Sequence, residues 1–212
     1  MLFGDGAGAV VIEESKDESD GEIYSFSNGL SSDNLEILEI PNFGSAMDRF
    51  NPDEAARVRW TFDGQEIFKS GVRAMAQASA EAIEKSGLSK EDVDIFIPHQ
   101  ANIRIVEALE KKLGLPNATT IKKVHRYGNT SAASIPTAFV DALEEGEIKG
   151  GEIAVFTAVG AGLAWGACAV RLGDRVTPIN KSDAKLPDFD GTATDTIKRA
   201  IEYQVPDKLD KI

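Results

Sequence analysis

Three short segments of the chain combine polar or glycine residues with a position directly after a predicted strand. His99 lies in "PHQAN" after the apolar residues Ile95–Ile97, and Asn129 lies in "GNTSAAS" behind Gly128. The third segment is "VGAG" at 159–162. In open α/β sheets, ligands bind beyond the carboxyl ends of the strands, where loops meet helix N-termini. We therefore expect the three segments to contribute to one site.

These residue types suit the stabilisation of negative charge that develops on an oxygen atom. The neutral imidazole of His99 and the carboxamide of Asn129 can each donate a hydrogen bond to a carbonyl that becomes an enolate. One preorganised donor of this kind is typically worth about 3–4 kcal/mol of transition-state stabilisation. The spacing alone leaves a structural interpretation open, in which His99 caps the following helix and Asn129 closes a turn.

The elements that would position these segments alternate between strands and helices along the chain. The hydrophobic periodicity predicts helices at 65–86, 103–113 and 131–146. It predicts strands at 10–12, 21–27, 94–97, 119–125, 152–159 and 163–172. This alternation predicts an α/β layer structure with a mostly parallel sheet.

Composition excludes several classes of function. The 212 residues are 42% apolar, which supports a hydrophobic core, and the net charge of −12 argues against nucleic acid or an anionic membrane as the main partner. One cysteine, Cys168, rules out an intrachain disulfide and fits a reducing cytoplasm. The uncharged run at 153–170 contains glycines and many small residues, so we interpret it as two strands and not as a membrane span. No secretory or transit signal is predicted at the start.

Two other kinds of site are not supported by the sequence. The glycines of "GDGAG" at 4–8 suggest a dinucleotide loop, but a predicted strand follows them where that fingerprint requires a helix. A zinc site is not expected either, because the chain has two histidines and no cluster of cysteines. His125 and Arg126 are interpreted as surface or loop residues.

Several motifs in a fixed order resemble one known family. "LFGDGAGAVV", "GQEIFK", "PHQAN", "GNTSAAS" and the "GAG–AWG" ending together resemble the C-terminal half of β-ketoacyl-ACP synthase III, a thiolase-fold condensing enzyme that initiates fatty acid synthesis. The resemblance covers about residues 2–172 and implies a thiolase-like half-domain, with helices packed on the faces of a mixed, mostly parallel sheet. Residues 173–212 are predicted to be a polar extension of unknown role, with one short amphipathic helix in "TIKRAIEYQ".

The resemblance implies roles for specific residues. His99 and Asn129 would stabilise the thioester enolate that forms when a malonyl group loses carbon dioxide, and the Ala161 N–H would belong to the oxyanion hole. The implied substrate-binding positions around the pantetheine and acyl groups are Gly64, Phe68, Asn102 and Val159. At the last of these the family more usually has Phe, which affects the expected choice of acyl chain.

The implied substrates are acyl-CoA and malonyl-ACP, with no further cofactor and no metal. An acidic acyl carrier protein would dock on basic side chains of two predicted helices. These docking residues are Lys69, Arg73, Arg104, Lys111 and Lys112. The alternative is that they are exposed charges that contribute only to solubility.

The family's nucleophilic cysteine belongs to a region that precedes "FGDGAG", and Cys168 does not replace it. Cys168 lies in an apolar strand with no adjacent base, which predicts an inert thiol. We therefore expect a fragment or expressed domain that is inactive alone, needs an N-terminal half-domain with the catalytic cysteine, and forms a homo-oligomer. The alternatives are a related condensing enzyme for ketone, quinolone or polyketide-type products, or a non-catalytic subunit that binds pantetheine or carrier protein.

Overall fold

The computed structural model describes residues 3–33, 35–40, 61–177, 183–184 and 191–204. The chain divides into two compact units. The first unit consists of Met1–Glu39 and Phe62–Pro178, and the second of Ile40–Thr61 and Ile179–Ile212. The residues proposed for the site all fall in the first unit.

Seven strands and five α-helices are found among the described residues. The strands are β1 (Glu22–Leu30), β2 (Leu38–Glu39), β3 (Thr61–Phe62), β4 (Ile95–Pro98), β5 (Thr119–Thr120), β6 (Ile153–Gly160) and β7 (Ala164–Arg171). The helices are α1 (Gly64–Lys85), α2 (Ile103–Leu113), α3 (Val124–Tyr127), α4 (Ser134–Glu144) and α5 (Ala193–Gln204). Short 3-10 turns occupy Glu18–Asp20, Leu35–Ile37, Lys90–Asp92 and Ser131–Ala133.

The main sheet has five strands in the order β1-β7-β6-β4-β5. Strand β4 pairs in parallel with β5 and β6, whereas β7 pairs antiparallel with β6 and β1. The sheet is therefore mixed, and two of these four pairings are parallel, fewer than the expected majority. The β6–β7 pair is antiparallel because only residues 161–163 connect its strands, and a parallel pair would require a long crossover.

Helices cover both faces of this sheet. On one face, the α1 residues Val72 and Met75 and the α2 residue Leu109 belong to a core cluster with Phe96 of β4. On the other face, α4 belongs to a cluster that includes Ile95 and Ile97 from the same strand. Successive side chains of a strand point to opposite faces, so the continuous apolar run of β4 serves both cores.

The predicted helices are confirmed. Helix α2 ends at Gly114, whose left-handed backbone (φ 60°) is the conformation that glycine adopts at least cost. Helix α4 follows a 3-10 turn and carries Pro136 as its third residue, where the missing N–H breaks no hydrogen bond within the helix. The C-terminal segment "TIKRAIEYQ" is also helical, as part of α5.

Two predicted strands are wrong or too long. Residues 10–12 are not in a strand, and their side chains are exposed, because the described part of the chain has no strand beside them to pair with. The strand predicted at 119–125 stops after Thr120 and gives way to α3 at 124–127.

The uncharged run at 153–170 forms β6, a turn and β7. No helix within the described ranges has the length and apolar character needed to cross a membrane.

Candidate active site

His99 follows the last residue of β4 and is held by a serine of the "GNTSAAS" segment and by strand β6, which leads into the "VGAG" segment. Its backbone N–H donates to the Thr157 carbonyl of β6 at 2.7 Å, which continues the parallel pairing of the strands. Its ring Nδ1 lies 2.6 Å from Ser134 Oγ at the start of α4. Burial lowers the pKa of His99 below its ordinary value of 6.5, so the ring is neutral at pH 7.

Asn129 is buried, and its side-chain amide has a defined orientation. Its Oδ1 accepts a hydrogen bond from the backbone N–H of Ser131 at 2.9 Å, an Asx turn that makes Nδ2 the donor end of the side chain. Ser131 has a positive φ of 54°, which is uncommon for a residue with a side chain. The side-chain oxygen of Asn129 therefore closes a turn, as the structural interpretation predicted. The amide nitrogen is not used in this turn and can donate to another group.

Asn102, not His99, caps the following helix. The Asn102 Oδ1 accepts a hydrogen bond from the Ile105 N–H at 3.0 Å, at the N-terminus of α2. This bond satisfies one of the helix's free N–H groups and frees His99 from any capping role. Asn102 therefore has a structural role that exists with or without a substrate.

The "GDGAG" segment packs against the loop that carries Asn129. The Gly4 N–H donates to the Asn129 carbonyl at 3.0 Å, and Phe3 forms an isolated parallel bridge with Asn129. A Cβ on Gly4 would overlap the carbonyl oxygen of Tyr127. The close approach of these two backbone segments therefore requires glycine at this position.

The next two glycines of the segment approach the same loop and the start of helix α4 that follows it. A Cβ at Gly6 would lie 3.0 Å from the Thr130 side chain, and one at Gly8 would lie 2.6 Å from Pro136. The sequence analysis missed this role, although glycines at every second position indicate that one side of an extended segment must be free of side chains.

Gln100 is a second residue that the sequence analysis did not include in the site. It is fully buried, and its Oε1 accepts hydrogen bonds from the backbone N–H groups of Lys123 (2.9 Å) and Val124 (3.2 Å). Its Nε2 donates to the carbonyls of Pro98 (2.7 Å) and Ile121 (3.1 Å). This side chain, and not a neighbouring strand, is thus the partner of the backbone N–H groups at 123 and 124, within the segment predicted as a strand.

The third segment of the site is the turn between β6 and β7. Ala161 lies in this turn and is exposed, and the turn is fastened to the end of β1 by the Ser31 N–H, which donates to Leu163 at 2.8 Å. Val159 and Phe68 are both partly buried and pack against the same core cluster. Gly64 is the exposed first residue of α1, which begins at the capping residue Asp63.

The predicted docking residues are exposed side chains of α1 and α2, two helices that pack against each other. Lys69 lies 3.9 Å from Glu66, and α2 also carries Glu110, which forms a 2.7 Å ion pair with Lys122. Lys111 and Lys112 occupy the last turn of α2, where cations are stabilised by the helix dipole. The surface is therefore mixed in charge, and none of its basic residues contacts His99 or Asn129 through a described hydrogen bond.

Cys168 lies in the middle of β7, away from any described base. Burial raises the pKa of its thiol, so the reactive thiolate is disfavoured near neutral pH. It lines an open, mainly apolar groove of about 360 Å³ together with Phe26 and Phe156. The structure agrees with the expectation of an unreactive thiol.

Residues 83–172 match the family described as 3-oxoacyl-[acyl-carrier-protein (ACP)] synthase III C terminal. These residues form a C-terminal domain of that family. The chain is 47% identical over 205 residues to beta-ketoacyl-[acyl-carrier-protein] synthase III 2 of Vibrio cholerae. This match covers 96% of the chain and 55% of the relative. It is 45% identical over 173 residues to the Listeria monocytogenes synthase III, covering 82% of this chain and 50% of the relative.

Solved structures of the family confirm the thiolase-like fold. The synthase III of Pseudomonas aeruginosa superimposes with a TM-score of 0.72 at 32% identity, covering 84% of this chain and 52% of that structure. The Aquifex aeolicus synthase III gives a TM-score of 0.67 at 40% identity, covering 80% and 50%. The chain thus spans about half the length of the synthase III proteins that it matches.

The resemblance extends further along the chain than the motifs indicated. The Vibrio cholerae match covers 96% of the chain and so includes most of residues 173–212, which the motif resemblance over residues 2–172 does not include. The domain boundary after residue 172 and the role of the extension stay predictions.

Proposed function

We propose that this chain supplies the enolate-stabilising half of an active site for decarboxylative Claisen condensation in fatty acid biosynthesis. The substrates would be an acyl-CoA starter and malonyl-ACP. The observation that carries the proposal is the hydrogen bond from Ser131 N–H to Asn129 Oδ1, because it leaves the amide nitrogen as a donor. The neutral, partly buried ring of His99 supports a second donor.

The proposed reaction begins on an N-terminal half-domain that bears the catalytic cysteine. A cysteine there takes the acyl group from acyl-CoA and releases CoA. The malonyl thioester then loses carbon dioxide, and the electron pair of the broken C–C bond forms an enolate. His99 Nε2–H and Asn129 Nδ2–H would donate to its oxygen, each worth about 3–4 kcal/mol at the transition state.

The enolate carbon then attacks the acyl carbonyl on the cysteine. The Ala161 N–H would stabilise the tetrahedral oxyanion, which collapses to release the cysteine thiolate and the β-ketoacyl carrier protein. A backbone donor does not depend on the side chain, so alanine can take this role where the family commonly has glycine.

Substrate binding in this proposal uses the outer part of the same unit. Asn102 retains an amide N–H group for pantetheine after its oxygen has capped α2. Phe68 and Val159 would border the acyl and pantetheine groups, with Gly64 at the entrance. The acidic carrier protein would dock on α1 and α2 through Lys69, Arg73, Arg104, Lys111 and Lys112.

A non-catalytic role is the second candidate, and the properties of Cys168 favour it. The chain has no other cysteine, and burial raises the pKa of this thiol. A subunit that only presents a pantetheine groove would need no nucleophile. A condensing enzyme with ketone, quinolone or polyketide-type products would use the same two donors. The type of product would then depend on the other half-domain, which selects the acyl starter.

The test mixes the chain with a separately expressed cysteine-bearing N-terminal half of a synthase III and measures decarboxylative condensation. His99→Ala and Asn129→Ala should each lower kcat about 10²–10³-fold, because each removes one donor to the enolate oxygen. His125→Ala is the matched control, since His125 is exposed and lies outside the site. Activity that survives in the double variant His99→Ala/Asn129→Ala would exclude the proposed roles.

A further inference from the structure

Ser134 is the one side chain that touches the ring of His99 through a described hydrogen bond. It is the first residue of α4 and is only 2% exposed. Its Oγ lies 2.6 Å from His99 Nδ1 and 3.2 Å from the backbone nitrogen of Gln100. No other partner of this hydroxyl is present in the part of the chain that the structure describes.

The burial of Ser134 and its second contact together indicate the direction of the hydrogen bond to the ring, because a buried hydroxyl proton that lacks an acceptor costs free energy. A backbone N–H can only donate, so the Gln100 contact makes Ser134 Oγ an acceptor. The hydroxyl proton then has one described partner left, which is His99 Nδ1. A neutral imidazole accepts on one nitrogen and carries its proton on the other.

We propose that Ser134 is a positioning residue that holds His99 in the tautomer with its proton on Nε2. The inference rests on the proposed function and deepens it, since it explains why the ring presents a donor to the enolate oxygen. With the opposite tautomer, Nε2 would present a lone pair to a negative oxygen and would repel it. Ser134 acts through His99 and does not itself contact the substrate.

The surrounding structure keeps this hydroxyl in place. Ser134 begins a helix whose buried residues Ala138 and Ala142 pack in the core against β4, the strand that His99 follows. His99 is in turn anchored through its backbone N–H to Thr157. Both partners of the 2.6 Å contact are therefore attached to rigid elements, so the bond fixes the ring orientation as well as the proton.

The tautomer can be read directly in the chain, which has only two histidines. Nitrogen-15 NMR of the imidazole rings at pH 7.5 should show Nδ1 of His99 as the unprotonated nitrogen and Nε2 as the protonated one. His125, which is exposed, supplies an internal reference without a fixed partner. A wild-type spectrum with the proton on Nδ1 of His99 would overturn the inference, whatever the variants do.

Substitutions test whether Ser134 is the cause. In Ser134→Ala, the two His99 nitrogen shifts should move towards each other as the ring exchanges between tautomers, whereas Ser134→Thr, which keeps a hydroxyl, should retain the wild-type pattern. Ser79→Ala is the control, because Ser79 is another buried helical serine and donates to Met75. Unchanged His99 shifts in a folded Ser134→Ala protein would refute the assignment.

These measurements need neither substrate nor the cysteine-bearing half. A fixed Nε2–H tautomer together with full condensation activity in His99→Ala would therefore refute the proposed function and leave the role of Ser134 intact. A His99 ring without a fixed tautomer, together with loss of activity in His99→Ala, would refute the role of Ser134 and leave the proposed function intact. If Ser134→Ala does not fold, the wild-type spectrum still tests the inference, because a proton on Nδ1 of His99 would refute it.

Discussion

At the scale of single residues, the partly buried ring of His99 should make the folded state sensitive to pH. Burial lowers its pKa below the ordinary value of 6.5, so the unfolded chain binds more protons than the folded protein between the two values. Stability then rises with pH across that window. Equivalently, the folded state loses stability as the pH falls from 6.5 to the lower folded-state pKa, and no further change from this group follows below it.

Urea unfolding at pH 7.5 and pH 5.5 measures this effect. The midpoint should fall on acidification in the wild-type protein, and His99→Gln should show a smaller fall because it removes the group that takes up the proton. His125→Gln should behave like the wild-type protein. Carboxylates with a lowered pKa, such as Glu110, act below their ordinary value of 4.5 and so outside this range. Equal pH dependence in His99→Gln and the wild type would contradict the assignment.

Cys168 gives a second prediction at this scale. Because burial raises the pKa of its thiol, incubation of the chain with acetyl-CoA near neutral pH should leave the protein mass unchanged. Intact-mass spectrometry provides the readout, and Cys168→Ser identifies any adduct that depends on the thiol. An acetyl group attached to Cys168 would show that this strand position is reactive after all.

The individual residues could be predicted from sequence to different degrees. His99 and Asn129 can be identified from the sequence motifs in which they lie. Ser134 and Gln100 instead act through hydrogen-bond partners 21 to 35 positions away in the chain. A serine in the "GNTSAAS" motif does not reveal which of its neighbours it will meet. Such pairings depend on the register of α4 against β4, which the linear pattern does not contain.

At the scale of elements, the side chain of Gln100 joins β4 to the segment that follows β5. Four backbone groups, at positions 98, 121, 123 and 124, use this one amide as their partner. A buried donor or acceptor that loses its partner costs about 1–3 kcal/mol. The carboxyl end of the sheet, where the proposed site lies, is therefore stabilised by a polar side chain in place of a strand.

Gln100→Leu should consequently lower the free energy of unfolding by about 3 kcal/mol or more, because leucine fills the space and satisfies none of these groups. Chemical denaturation followed by circular dichroism measures the change. Gln77→Leu is the matched control: Gln77 is exposed on α1, and its side chain has one hydrogen bond among the described residues, to Glu81, so its replacement should cost less than about 0.5 kcal/mol. Similar losses in the two variants would show that the buried amide has no special role.

Periodicity predicted the helices well and the strands less well. Helices α1 and α2 form from local contacts, and their apolar spacing is visible in the sequence. A strand needs a neighbour, and residues 10–12 have strand-like side chains without a described neighbour. The same dependence limits the strand predicted at 119–125, because the backbone N–H groups of Lys123 and Val124 donate to the side chain of Gln100 and not to a neighbouring strand.

At the scale of the whole molecule, the first unit leaves apolar surface exposed. Phe26, at 63% exposure, and the partly buried Phe156 line the groove beside β7, and Val11 is exposed elsewhere in the same unit. The matches cover 55% and 50% of the length of two synthase III relatives. Apolar patches of this kind mark surfaces that associate with another protein surface.

The chain on its own should therefore self-associate, and the association should strengthen with salt. A net charge of −12 repels the copies from one another, and salt screens that repulsion without weakening apolar contact. Light scattering across protein concentrations, at low and high ionic strength, gives the oligomeric state.

Two substitutions test whether self-association depends on the groove or on any exposed apolar side chain. Phe26→Gln removes an apolar ring from the groove and should shift the equilibrium towards monomer, because apolar area is what the copies would bury. Ile103→Gln changes an exposed apolar residue on α2 that does not line the groove, and it should leave the association as it is in the wild-type protein. A wild-type chain that stays monomeric at high salt, or a Phe26→Gln variant that associates equally well, would mean that the groove is not an interface between copies.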